Sequence, residues 1–411
     1  QDERRGFVKI PRQITLWTVA SVLSLLVLGF VLTWQSAQVR RRWAVQVPTQ
    51  PVTGSVVFRA KGCGACHGPT AAGTDDGPAL RDSRSLSGLP QLVTAMWNHA
   101  PRMWQLMESR HLPYPALTYE ETSQLVSYLY VSGYADNGGD VGRGEELFQT
   151  RACVRCHSDT AGNNQAPLLK LTAGVEDPLS WTQVLWNHAS AMQTRMRQLG
   201  IAWPQFQARD MRDLFAYVRH ASNATDVGFP DVAGDPERGW KLFQQKGCIR
   251  CHALSSESGR LGPNLGAERP LPPTFSEFGA ALLNHFPAMQ KTMQVERTEM
   301  PRFDAHDVTD MAVFLYSLHY LEPSGSPLVG KSVFAWRGCS RCHGQEAQGT
   351  AAGPALRGGR QAYTAVRLAT DLWRHGGRMY QHGRQQGQPW PTLQDSDIGH
   401  LLTFLNLSPE Q

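Results

Sequence analysis

Two kinds of apolar run organise this chain. The first is continuous: Ile14 to Trp34 is 21 residues without a charge, and at about 1.5 Å per residue it reaches roughly 31 Å, enough for the hydrocarbon core of a bilayer. Trp17 and Trp34 lie near its two ends, with Arg12 before it and Arg40 to Arg42 after it, as expected of a retained membrane anchor. A cleaved signal peptide is the rival reading, but the core is longer than usual and no clear A-x-A site follows it. The second kind of run is short, helix-periodic and recurrent: Leu125 to Tyr130, Leu214 to Val218, Met311 to Leu318 and Ile398 to Leu405. Each predicts a helix closing one of four similar, all-α units.

Other residues repeat in step with these helices. Gly54, Gly144, Gly239 and Gly330 are each followed four residues later by Phe58, Phe148, Phe243 or Phe334, a spacing that places Gly and Phe on one face of a short helix. Nine residues after each glycine comes the first cysteine of a C-x-x-C-H motif, and the motifs are spaced 90, 95 and 91 residues apart. An internal repeat of domain size is therefore the plan of the chain. Gly, Pro and Asp-rich stretches near 136–140, 225–236 and 322–327 separate the units.

Composition adds little beyond exclusion. With 41% hydrophobic and 18% charged residues in 411, the chain is neither disordered nor fibrous. The formal charge of +5 comes entirely from residues 1–42, and the rest of the chain is balanced. No basic stripe of the kind nucleic acid needs is evident.

The cysteines carry the chemistry. All eight fall in the four motifs: Cys63, Cys66 and His67; Cys153, Cys156 and His157; Cys248, Cys251 and His252; Cys339, Cys342 and His343. C-x-x-C-H attaches c-type haem, the two thiols adding to the porphyrin vinyl groups while the adjacent histidine reaches the iron. A zinc half-site or a redox dithiol explains one such motif. Neither explains four that consume every cysteine. Thioether formation on this pattern takes place outside the cytoplasm, which puts residues 1–13 inside, as a cytoplasmic tail, and the haem units on the periplasmic face.

Each unit resembles a class I cytochrome c domain. The signature is G-x-x-x-F, C-x-x-C-H, G-P-x-L and a terminal aromatic helix. Together with the apolar span, the resemblance implies a transmembrane helix at 14–34 and a linker at 35–53, followed by four tandem class I cytochrome c-like domains at 54–136, 140–226, 234–322 and 326–411, with four covalently attached haem c groups. In that family a proline carbonyl receives the Nδ1 proton of the iron-bound histidine; Pro78, Pro167, Pro263 and Pro354 match it, each with a leucine two residues later.

The sixth ligand departs from the family pattern. Class I domains supply a methionine just before a proline ahead of the last helix, and only Met300-Pro301 does so here; the equivalent residues elsewhere are Tyr114, Trp203 and Trp390. Each unit instead carries a histidine and a methionine four residues later: His99 and Met103, His188 and Met192, His285 and Met289, His375 and Met379. A third residue follows in each, Met107, Met196, Met293 or His382. The methionines Met103, Met192, Met289 and Met379 are the expected distal ligands because thioether is the family's ligand type. The four histidines are the alternative, and haem packing by both residues is the plain one.

The resulting expectation is a membrane-anchored electron relay whose partners are redox proteins or an integral electron-transport complex, with no nucleic acid. A catalytic multihaem oxidoreductase, such as a quinol dehydrogenase, and a mainly anchoring subunit remain as alternatives. The haem propionates add negative charge to a balanced surface, so basic patches on partners should be attracted.

Overall fold

The computed structural model describes residues 51–81, 88–136, 138–157, 175, 177–222, 234–254, 261–267, 269–320, 324–358 and 362–407. Among them each unit has an entry helix, a long middle helix and a closing helix. The entry helices are Pro51–Ala60, Val141–Thr150, Pro236–Gln245 and Pro327–Trp336. The closing helices are Tyr119–Ser132, Asp210–Ala221, Asp307–Ser317 and Asp395–Leu405. Three middle helices, Leu89–Ser109, Pro178–Gln198 and Phe275–Val295, run unbroken for 21 residues. The fourth is divided into Ala365–Asp371, a π-helical turn at Leu372–Gly376, and Gly377–Gln385.

The recurrent glycines mark where entry and closing helices cross. A Cβ on Gly54, Gly144, Gly239 or Gly330 would overlap the carbonyl oxygen of Gln124, Asp213, Asp310 or His400, respectively. One turn on, the recurrent phenylalanine meets an aromatic ring of the closing helix: Phe58 with Tyr128 at 5.4 Å, Phe148 with Tyr217 at 5.3 Å, Phe243 with Phe314 at 5.9 Å and Phe334 with Phe404 at 5.4 Å. Such pairs add roughly 0.5–1.5 kcal/mol to the area they bury. Arginines brace the same crossing in three units, Arg143 to Asp210 and Asp213, Arg238 to Asp307 and Asp310, and Arg337 to Asp397. These carboxylates sit in the first turn of their closing helices, where the helix dipole also favours them.

One expectation is corrected. The helical, strand-poor architecture agrees with an all-α fold, but no helix among the described residues is long and apolar enough to cross a membrane, so the transmembrane helix in the expected fold class is not supported. The middle helices have the length and lack the composition, since each carries charged or imidazole side chains on its exposed face. The segment 14–34, on which the expectation rested, lies outside the described residues.

Units two and three pair through their middle helices. Trp186 Nε1 donates to Pro301 O at 2.8 Å, Asn187 Nδ2 donates to Phe303 O at 2.7 Å, and Phe303 N donates back to Asn187 Oδ1 at 2.9 Å. Asn284 of unit three returns the same exchange with Phe206, at 2.7 and 2.8 Å. Units one and four use the same grammar in one direction: Trp97 Nε1 donates to Pro391 O at 2.7 Å, and Asn98 exchanges two bonds with Leu393 at 2.8 and 2.9 Å. In the other direction Arg374 replaces the asparagine, and the buried Trp373 Nε1 has no hydrogen-bond partner among the described residues.

Units one and three meet separately. Tyr134 packs on Tyr316 at 4.4 Å, Tyr130 OH donates to Tyr316 O at 2.8 Å, and the buried Asp136 carboxylate accepts from Ser276 N and Ser276 Oγ at 2.9 and 2.5 Å.

Candidate haem sites

Each C-x-x-C-H motif is one tight turn. The histidine N–H donates to the carbonyl of the first cysteine at 3.0 Å for His67, 2.9 Å for His157, 2.9 Å for His252 and 3.0 Å for His343. The turn is entered through a left-handed residue, Gly62, Gly247 or Gly338, and in unit two through Ala152 at φ 63°. None of the eight cysteines is in a disulfide. Burial pushes the thiols of Cys63, Cys153, Cys248 and Cys339 up to about 11. They therefore stay protonated at neutral pH, unlike the lowered thiols of redox or metal-binding pairs.

Three of the motif histidines meet a proline carbonyl as the resemblance implies. His67 Nδ1 lies 3.0 Å from Pro78 O, His252 Nδ1 3.0 Å from Pro263 O, and His343 Nδ1 2.8 Å from Pro354 O. A carbonyl accepts only, so the proton is on Nδ1 and the Nε2 lone pair is free for a metal. Pro167 lies outside the described residues.

Opposite three of these rings stands a second imidazole. His67 and His99 have ring centroids 6.3 Å apart, His157 and His188 6.4 Å, and His252 and His285 6.2 Å. Two imidazoles bound through nitrogen to one metal at about 2.0 Å each have centroids roughly 6.3 Å apart. The spacing thus fits a haem iron between them. His188 Nδ1 donates to Val184 O at 2.6 Å, which again leaves the Nε2 lone pair for the metal. Burial, with the neighbouring proximal histidine second, holds His99 and His285 below the usual imidazole range. Burial likewise holds His188 down, against the pull of the Val184 hydrogen bond. Lowered basicity keeps the neutral, ligating form.

Met103, Met192 and Met289 pack against the hydrophobic core, whereas Met379 is 38% exposed.

The residues at the usual methionine position serve the pairing of units. Trp203 stacks on Phe286 at 5.4 Å and donates from Nε1 to Leu283 O at 3.0 Å; Trp390 stacks on Trp97 at 5.0 Å and donates to Trp97 O at 3.0 Å. Each accepting carbonyl lies four residues before a proline inside its helix, Pro287 and Pro101. Proline has no N–H to give that carbonyl. The partner's indole N–H takes its place. Sequence reasoning missed the interface role of Asn98, Asn187 and Asn284; the recurrent aromatic-or-leucine, Asn, His triplet was the available signal.

A family model for cytochrome c matches residues 329–408, and one for cytochrome c oxidase, cbb3-type, subunit III, matches residues 234–315. Both matched stretches are thus cytochrome c-type domains. Cytochrome c domains imply covalently bound haem c and indicate an electron-transfer haem protein. No curated protein and no solved structure matches it significantly. The two matched stretches contain the motifs of units three and four, and the same turn, crossing and proximal histidine recur in unit one. In unit two the turn and the crossing recur.

Proposed function

We propose that this cytochrome is a tetrahaem electron relay, with haem attached at Cys63 and Cys66, Cys153 and Cys156, Cys248 and Cys251, and Cys339 and Cys342. His67, His157, His252 and His343 are the proximal ligands. For the first three haems the distal ligands are His99, His188 and His285, in place of the methionines that the family pattern suggests. The three imidazole pairs at one spacing carry this reading. Haem supplies a one-electron carrier; the chain supplies the rest. Its proline carbonyls fix the proximal tautomers, and bis-imidazole ligation sets a lower potential than a thioether would.

The pairing of units gives the relay its path. The histidine-bearing middle helices of units two and three lie against each other, those of units one and four do likewise, and the tyrosine cluster joins one to three. Electrons then pass among four centres within one body and out to a redox protein partner. Because haem is attached to this motif outside the cytoplasm, that is where these units work.

Mass spectrometry of the denatured protein, matured in a host competent for haem attachment, should give the chain plus four haems. Stoichiometric reduction should take up four electrons. A mass with three or fewer haems would sink the tetrahaem reading.

A further inference from the structure

Unit four breaks the pattern of the other three at the distal histidine. Its middle helix passes through a π turn at Leu372–Gly376, an irregularity that recurs at functional sites, and His375 lies within it. Among the described residues no ring contact joins His375 to His343. His375 is exposed, and its Nδ1 lies 3.1 Å from Arg378 Nη2. A guanidinium only donates, so Nδ1 accepts and the proton of the neutral ring is on Nε2. That is the opposite tautomer from His188. In this arrangement Nε2 is an N–H and offers no lone pair.

The turn lies against the neighbouring unit. Gly376 and Gly377 stand where the other units have Ala100-Pro101, Ala189-Ser190 and Phe286-Pro287. A Cβ on Gly376 would come 2.7 Å from Trp104 Cη2, and one on Gly377 would come 2.6 Å from Tyr114 Cε2. Trp104 is fully buried and packs edge-on against both Trp373, at 6.5 Å, and Trp390, at 5.2 Å. Side chains of unit one thus lie directly against the helix backbone here, where unit three presents Phe286 to Trp186 and Trp203 of unit two. The same shift leaves Trp373 Nε1 without the bond that Trp97 and Trp186 make.

We infer that the fourth haem has an exchangeable distal position that takes a small anionic ligand, while the first three are closed by histidine. Arg378, beside His375, supplies the positive charge; unit one has Arg102 at that position beside a haem closed by His99, and units two and three have Ala191 and Ala288. This rests on the tetrahaem reading, since it presumes haem on Cys339 and Cys342. It also places contact with a small molecule in unit four and storage and transfer of electrons in units one to three.

Azide titrated into the ferric holoprotein is the test. One azide should bind per chain, converting a high-spin ferric component to low spin and leaving the three histidine-pair haems unchanged. Arg378→Ala should weaken azide about fivefold while binding of neutral imidazole at the same iron stays within twofold. His375→Ala and Met379→Ala should each leave the high-spin component in place. Absence of that component and of azide binding overturns the inference. A sulfur-to-iron charge-transfer band lost in Met379→Ala would do so too, assigning the position to the thioether. A high-spin component seen only in His375→Ala would assign it to the imidazole. Proteolysis separates the two readings: a Cys339 peptide without haem defeats the tetrahaem reading itself, and a haem-bearing one with no azide site defeats this inference alone.

Discussion

Trp203 Nε1 donates to Leu283 O at 3.0 Å, the carbonyl that Pro287, inside the same helix, leaves without its own N–H. A defect in one unit's helix is thereby matched to a side chain of another. Trp390 and Trp97 repeat the arrangement at 3.0 Å opposite Pro101. Where the middle helix has Ser190 in place of proline, the residue of unit three at the sequence position of Trp203 is Met300, which has no such donor.

This pairing is testable by a double-mutant cycle. Trp203→Phe keeps most of the stacking on Phe286 but orphans Leu283 O, at a cost of about 1–3 kcal/mol. In a Pro287→Ala background the alanine's own N–H can satisfy that carbonyl, and the same change should cost about 1 kcal/mol less. Denaturant melts of the four proteins give the coupling. Additive effects would mean that the proline and the indole are unrelated.

His188 and Met192 compete for the distal position in unit two, and the ring spacing of 6.4 Å to His157 favours the histidine. His188→Ala should convert one haem to a high-spin ferric state. Met192→Ala should leave all spectra unchanged and cost stability, on the order of 1–3 kcal/mol for a partly buried side chain. Electron paramagnetic resonance of the two variants decides, and a high-spin signal in Met192→Ala alone would restore the methionine.

What was legible in the sequence is what acts over short separations. The C-x-x-C-H turn closes through a bond from His67 N to Cys63 O, and Gly54 and Phe58 advertise a helix crossing that the fold then makes with Gln124 and Tyr128. Pro78, 11 residues from His67, was legible for the same reason. The choice of distal ligand was not, because His99 and Met103 lie one turn apart on the same helix and periodicity cannot say which faces His67. Domain pairing was hidden more deeply. Asn98 and Leu393 stand 295 positions apart, and nothing local to either predicts the other. Trp203 and Trp390 stood out as departures from the methionine pattern, yet their role required knowing which carbonyl they meet.

Gly262 sits against the proximal histidine of unit three, where an added Cβ would come 2.7 Å from His252 Cε1. Gly262→Ala should push the imidazole off its alignment with Pro263 O without touching the cysteines. We expect full haem content by mass but a shifted potential for one haem of the set, read by spectroelectrochemical titration. Unaltered potentials would show that the loop yields instead of the ring.

The contact of unit one with unit three should carry a pH signature. Burial raises the Asp136 carboxyl above its usual range, and the two bonds from Ser276 only partly offset this. A carboxyl whose folded pKa is raised favours the fold most when protonated, below the ordinary value of about 3.9, and that contribution is lost as pH rises through the folded pKa. Asp136→Asn removes the titration and keeps both contacts, because its carbonyl oxygen can accept from Ser276 N while its amide donates to Ser276 Oγ. Relative to the parent protein, the Asn variant should therefore gain stability as pH rises from about 4 to 7. Asp136→Ala should lose about 1–3 kcal/mol across the range, since Ser276 N is left buried without a partner. Thermal midpoints of the three proteins at several pH values provide the comparison. If the Asn variant were as unstable as the Ala variant at pH 7, the ionised carboxylate itself would be what holds units one and three together, and the burial argument would be wrong.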